Sequence, residues 1–263
     1  MSNPHLPPEL LDRIIDLLHD NPEALEECCL VSKSWIPRTR KHLFANIMFR
    51  TQKSLRSWME TFPDPFNSPA HHTHTLTYSQ SVECSGAGDW ITSFSRVVHL
   101  DVFGLGFRSS PTRPMGSFVP LHGFSPILKS IRLDFSIIPA SQLFNLILSF
   151  PLLEDLTVVT YFEASTDGVD DPGELSTAFQ PSNPPTFTGS LELLMRGGTG
   201  PIARRLLSSP GGIHFRKLTL TWYQDSDGPS IRGLVGECSG TLESLKITRS
   251  TQGTSILHLS PHH

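Results

Sequence analysis

Apolar residues at Leu10, Leu11, Ile14, Ile15, Leu17 and Leu18 recur at helical spacing directly behind Pro7-Pro8-Glu9. They predict a short amphipathic helix with Pro8 and Glu9 in its first turn, where a proline costs no hydrogen bond and an acid meets the positive end of the helix dipole. Asp12, Arg13 and Asp16 fall on its polar side, and His19-Asp20-Asn21-Pro22 ends it. A second helix is expected from Glu23 to about Val31, with Leu25, Cys28, Cys29 and Leu30 as candidate buried positions. A third is expected to start at Ser34 as N-cap, to accept Pro37 where first-turn amides have no intrahelical acceptor, and to run to about Phe49. Three helices in fifty residues bury an area near the lower limit for independent folding, so this segment wants a partner.

The pattern changes after a linking helix expected over 52–62 and a breaker-rich stretch over 63–69. Apolar-x-x-apolar-x-apolar now recurs as Val97/Leu100/Val102, Leu128/Ile131/Leu133, Leu153/Leu156/Val158, Phe215/Leu218/Leu220 and Leu242/Leu245/Ile247. Two weaker copies, Leu76/Tyr78 and Leu191/Leu193, lack the first apolar residue. The central residues, at 76, 100, 131, 156, 191, 218 and 245, are 24, 31, 25, 35, 27 and 27 apart. Each copy predicts a short strand that turns alternate side chains into a core and buries them only by stacking on the next unit. Returning helices are expected over 89–94, 141–150, 201–208 and 230–238. The second of these is the strongest, with Leu143, Phe144, Leu146, Ile147 and Phe150 on one broad face. Ser255-Ile256-Leu257-His258-Leu259 resembles the start of a further strand. A doubly wound parallel sheet also alternates strands with helices and remains the alternative.

Composition narrows the partners. With 38% hydrophobic residues in 263 the chain can bury a real core, and its net charge of −4 provides no global attraction to nucleic acid or anionic lipid. Cys28, Cys29, Cys84 and Cys238 show no CxxC spacing, no apolar run approaches the ~20 residues that span a bilayer, and no proline-free Asn-x-Ser/Thr occurs. A cytosolic or nuclear protein without disulfides is expected. Charge is segregated: residues 1–30 carry seven acids against Arg13, and residues 31–60 carry seven Lys/Arg against Glu60. Further on, 133–195 hold nine acids and no Lys/Arg, whereas 196–224 hold five basic residues and no acid. Two insertions, 103–126 and 163–185, read as loops, and the second carries Asp167, Asp170, Asp171 and Glu174. These four acids are candidate contacts for a target segment of basic character, with an ordinary solvated loop as the alternative.

Leu6-Pro7-Pro8-Glu9-Leu10, the Ile14/Ile15/Leu18 face, Leu25, Leu30-Val31, Lys33 and Trp35 stand in the order and approximate spacing of F-box sequences. Arg40-x-x-Leu43-Phe44 is similar to the version found in mushroom-type fungi. Ser32 stands where many F-boxes carry cysteine, and the stretch 19–24 is longer than in many relatives. The resemblance covers about one fifth of the chain; a generic three-helix fragment is the alternative. The later pattern resembles the irregular leucine-rich repeats of F-box proteins, without asparagine at the usual turn position. The expected class is therefore α/β: a three-helix F-box over 1–50, a linker over 51–70, and a degenerate leucine-rich-repeat solenoid with short parallel strands over 71–263. The resemblance implies a non-catalytic substrate receptor of a Skp–cullin–F-box ubiquitin ligase. Leu6, Pro7, Leu10, Leu11, Ile14, Leu25, Val31 and Trp35 would supply the apolar surface shared between the module's own core and the Skp-type adaptor. The repeats would hold an unknown target protein. A scaffold that binds without directing degradation is the alternative.

No cofactor, nucleic-acid or membrane partner is implied. His71, His72 and His74 suggest a metal cluster, but they have no acidic or cysteine partner nearby in sequence and read better as a solvated turn. Gly197-Gly198-Thr199-Gly200 lacks the lysine and the spacing of a phosphate loop and reads as a turn between repeats. No Ser/His/Asp or Cys/His set carries a recognisable local signature.

Overall fold

The first helix, α1 (Pro8–Leu17), forms as its spacing predicts, with Pro8 at its N-terminus and Glu9 in its first turn. The computed structural model describes residues 7–64, 67–79, 91–104, 124–135, 140–161, 185–196, 199–209, 211–222, 225–249 and 255–259. Helix α2 (Pro22–Val31) is capped by Asn21, whose side chain accepts the Ala24 N–H at 3.0 Å. Helix α3 (Ile36–Leu43) differs from expectation at both ends. It starts behind Trp35 rather than at Ser34, and it stops at Leu43 instead of running to Phe49. Residues Asn46–Phe49 form strand β1, which pairs in parallel with β2 (Thr75–Ser79). The reason is tertiary. Ile47 and Phe49 alternate with polar or exposed neighbours, so a strand turns both toward one core, and the backbone of β2 supplies hydrogen-bonding partners that override local helix propensity. The sheet thus begins inside the segment assigned from sequence to the helical module.

Helix α4 (Gln52–Thr61) follows, opened by reciprocal bonds. The Ser54 N–H donates to Thr51 Oγ1 at 3.2 Å, and the Thr51 N–H donates to Ser54 Oγ at 3.3 Å. Its Trp58 and the C-cap residue Phe62, with Phe44, Phe49 and Phe94, form an aromatic cluster whose contacting ring centroids lie 4.7–6.1 Å apart. This cluster ties the segment after α3 to the start of the sheet.

The sheet continues through β3 (His99–Phe103), β4 (Ser130–Phe135), β5 (Asp155–Tyr161), β6 (Ser190–Arg196), β7 (Lys217–Trp222), β8 (Ser244–Arg249) and β9 (Ser255–Leu259). The order in space is the order in sequence, with eight strands parallel and β9 antiparallel to β8. A doubly wound sheet reverses its strand order at a switch point. This sheet does not, so that alternative is excluded. One ladder row reads Ile47, Leu76, Leu100, Ile131, Leu156, Leu191, Leu218, Leu245, which adds Ile47 to the central residues of the seven sequence copies. The next inward row, from Tyr78 through Val102, Leu133, Val158, Leu193 and Leu220, is also buried. Val97, Leu128, Leu153 and Phe215, the first apolar residues of four copies, lie in the same core. In the weak first copy, that slot is filled by Thr73, buried with its hydroxyl lacking a partner. In the weak sixth strand Phe187 takes the role and stacks on Phe215 at 5.4 Å.

A backbone device registers the units without the missing asparagine. The carbonyl two residues before each central position accepts two successive amides of the next unit. Ala45 serves His74 and Thr75, His74 serves Val98 and His99, Val98 serves Lys129 and Ser130, and Lys129 serves Glu154 and Asp155. The pattern breaks once, at β5–β6. There the Ser190 N–H donates instead to Asp155 Oδ1 at 2.6 Å, and a Cβ on Gly189 would stand 2.5 Å from that oxygen, so glycine is required. The pattern then resumes at Gly189 and Arg216.

Helices α5 (Ala140–Leu148), α6 (Gly200–Leu207) and α7 (Gly228–Cys238) cover the inner face of the sheet. Leu143, Phe144, Leu146, Ile147 and Phe150 are all buried, as the face read from sequence requires. Residues 89–94 contribute a single 3₁₀ turn, Ile91–Ser93, rather than a full helix among the described residues. Helices α6 and α7 are clamped by Asp227, which is buried. Its carboxylate accepts the N–H groups of Thr199 at 3.0 Å and Gly200 at 2.9 Å, capping α6 from 27 residues away. Toward the end of the sheet Leu245 and Ile247 are only half-buried, so the core thins there.

Candidate functional site

Helix α1 carries two apolar stripes about 100° apart, and the fold uses one. Leu11, Ile15 and Leu18 face the rest of the chain, with Ile15 fully buried. Leu10, Ile14 and Leu17, spaced i, i+4, i+7, face outward at 47%, 44% and 76% exposure. At the end of α2, Leu30 and Val31 are 87% and 66% exposed. Of the nine large apolar side chains exposed among the described residues, five therefore sit on these two short helices. A monomer gains nothing by leaving them in water.

The residues expected at an adaptor surface divide accordingly. Pro7, Leu10, Ile14 and Val31 are exposed, and Leu11 and Trp35 are half-buried. Leu25 is fully buried beside Cys28 and belongs to the internal core, not to a surface. Leu6 lies outside the described residues. Leu30, expected inside, is the most exposed large apolar side chain of this set, because Leu25 and Cys28 already fill the inward i, i+3 positions of α2. Leu17 was not singled out for the surface; its i+7 relation to Leu10 was the available signal.

Asp16 holds α1 to α3. Arg38 donates from Nε to Asp16 Oδ1 at 2.6 Å and from Nη2 to Oδ2, and His42 Nε2 lies 2.7 Å from Oδ1. The hydrogen bonds from Arg38 and then from His42 hold the Asp16 carboxyl far below the usual carboxylate range, and the Arg38 guanidinium is correspondingly raised. By contrast Glu9, Asp12, Asp20, Glu23, Glu26 and Glu27 are exposed.

Among the described residues, the sheet's other face is uncovered. A row across it reads Met48, Thr77, Asp101, Arg132, Thr157, Glu192, Thr219, Lys246, each exposed or half-exposed. Thr157 Oγ1 donates to Glu192 Oε2 at 3.4 Å. Asp167, Asp170, Asp171 and Glu174, the candidate target contacts, lie outside the described residues. The glycine run before α6 offers no free anion site through its Thr199 and Gly200 amides, since Asp227 occupies both. The rings of His71 and His72 stand 3.9 Å apart, yet among the described residues no group of three His, Cys, Asp or Glu is arranged to hold a metal ion. Nor is any helix among them long and apolar enough to cross a membrane.

Comparison of the chain with family models, with curated proteins and with solved structures returned no match. The class that the fold itself defines is an α/β protein built on one sheet with eight parallel strands. Seven α-helices are described, three of them preceding the sheet.

Proposed function

We propose that the chain is a substrate receptor of a Skp–cullin–F-box ubiquitin ligase, with the F-box at its amino-terminal helices and an irregular leucine-rich-repeat solenoid behind them. The observation that carries this reading is the outward stripe Leu10, Ile14 and Leu17, with Leu30 and Val31 exposed on the next helix. Buried apolar surface contributes roughly 25 cal/mol per Å², so covering such side chains with an adaptor supplies the binding energy that an internal core would otherwise claim. The one-strand units support the second half of the reading. They present a long row of mostly polar side chains on a face that no described helix covers, suited to holding a protein target. Function is then proximity: the receptor raises the local concentration of target lysines around a ubiquitin-loaded enzyme and needs no reactive group of its own.

The test is co-purification of the full chain with a Skp-type adaptor. Leu10→Asp combined with Ile14→Asp is expected to abolish capture while leaving the chain folded, because both side chains already face water. Undiminished capture by that variant contradicts the reading.

A further inference from the structure

At the entry edge of the strands, Lys129 and Arg216 on later units each face a carboxylate of the next unit. Lys129 Nζ lies 2.9 Å from Glu154 Oε1, and Arg216 Nε lies 4.0 Å from Glu243 Oε1. The first units differ. Lys41 on α3, His71 and His72 on the 3₁₀ turn Pro69–His72, His74 before β2 and Arg96 before β3 converge there, and none has an acidic partner among the described residues. Their convergence is enforced by backbone. Helix α3 packs on the 3₁₀ turn, the His74 N–H donates to Ala45 O at 2.8 Å, and His74 O accepts from Val98 at 2.8 Å and His99 at 3.0 Å. His71 Nδ1 is anchored 2.7 Å from Ser68 O, which holds its ring against His72.

We propose that this basic edge, Lys41, His71, His72, His74 and Arg96, docks an acidic, Asp/Glu-rich segment of a protein partner, more tightly as pH falls from 8 to 6. Charge complementarity commits the occupant. Two permanent cations and three imidazoles are spread over three chain segments, and all but half-buried His72 are exposed. They match several carboxylates in a strip rather than one phosphoryl group, which needs a tight cradle of donors. A nucleic acid is disfavoured by the chain's net −4 and by the small number of permanent cations. The His72 imidazole reports the local field. It is pushed below its ordinary value by burial first and then by the positive charges of His71, Arg96, Lys41 and His74, with no carboxylate among the described residues opposing them. An arriving acidic segment reverses that penalty, so binding and imidazole protonation reinforce each other.

The probe is a fluorescein-labelled peptide of alternating Glu and Gly, titrated with the full chain alone and read by fluorescence anisotropy. Because no adaptor is present, the outcome is independent of the ligase reading. Affinity is expected to rise about fivefold from pH 8 to pH 6. Lys41→Glu with Arg96→Glu should weaken binding about tenfold at both pH values, circular dichroism confirming the fold. His71→Gln, His72→Gln and His74→Gln together should remove the pH dependence and leave binding at pH 8 intact. Binding that ignores the charge reversal, or that does not change with pH, overturns the proposal. Competition by single-stranded DNA as effective as by the unlabelled peptide overturns the choice of a protein partner.

Discussion

The two ends of this molecule bury their apolar residues by different means. In the sheet, each inward side chain meets the same position of the neighbouring units, so Leu100, Ile131, Leu156 and Leu193 are fully enclosed. In α1 and α2, only Ile15, Leu25 and Cys28 are enclosed, and a second, outward stripe is left in water. Stacking similar units satisfies each face with the next one, whereas short helices at one end have too few neighbours to cover two faces. The uncovered stripe is therefore a property of the short helices themselves.

That contrast can be broken most strongly from the sheet. Leu156→Ala leaves a cavity between units and is expected to cost about 3 kcal/mol in denaturant unfolding followed by circular dichroism. A loss below about 1 kcal/mol would mean the units are not tightly stacked. Next comes Asp227→Ala, which strands the amides of Thr199 and Gly200; the expected cost is about 2 kcal/mol, read from the same transition. Asp16→Asn should loosen α1 from α3 by on the order of 1 kcal/mol, since its partners are partly exposed and solvent screens the pair.

The same carboxylate sets an acid limb. Its pKa is depressed in the folded state, so its contribution is complete above the ordinary carboxylate value and is lost as pH falls below about 4. The helical signal should decline over that range in the parent chain and less steeply in Asp16→Asn. Smallest of all is the stability effect of Leu10→Asp with Ile14→Asp. These positions face water, so unfolding should move by less than about 0.5 kcal/mol. A larger loss would show that the outward stripe is structural after all.

The repeat pattern was legible because a strand's inward residues must be apolar in every unit, and the same three positions recur. The copy at Phe44/Ile47/Phe49 obeys the pattern 29 residues before Leu76 but was hidden under a helix reading. A basic, helix-compatible stretch, Arg38 to His42, runs straight into it, and only pairing with β2 decides where the helix stops. Asp227 was illegible for a different reason: a cap supplied from 27 residues away leaves no local signature. On α1, both stripes were visible as apolar positions, and neither announced which would face water.

Which positions are apolar and the period at which they return were determined by the sequence, since these follow from local geometry and side-chain chemistry. Which apolar stripe is sealed, where α3 gives way to β1, and which charges remain unneutralised were decided only by tertiary structure. Each of those depends on what another part of the chain brings alongside, and burial, pairing and desolvation are energies between segments rather than within them.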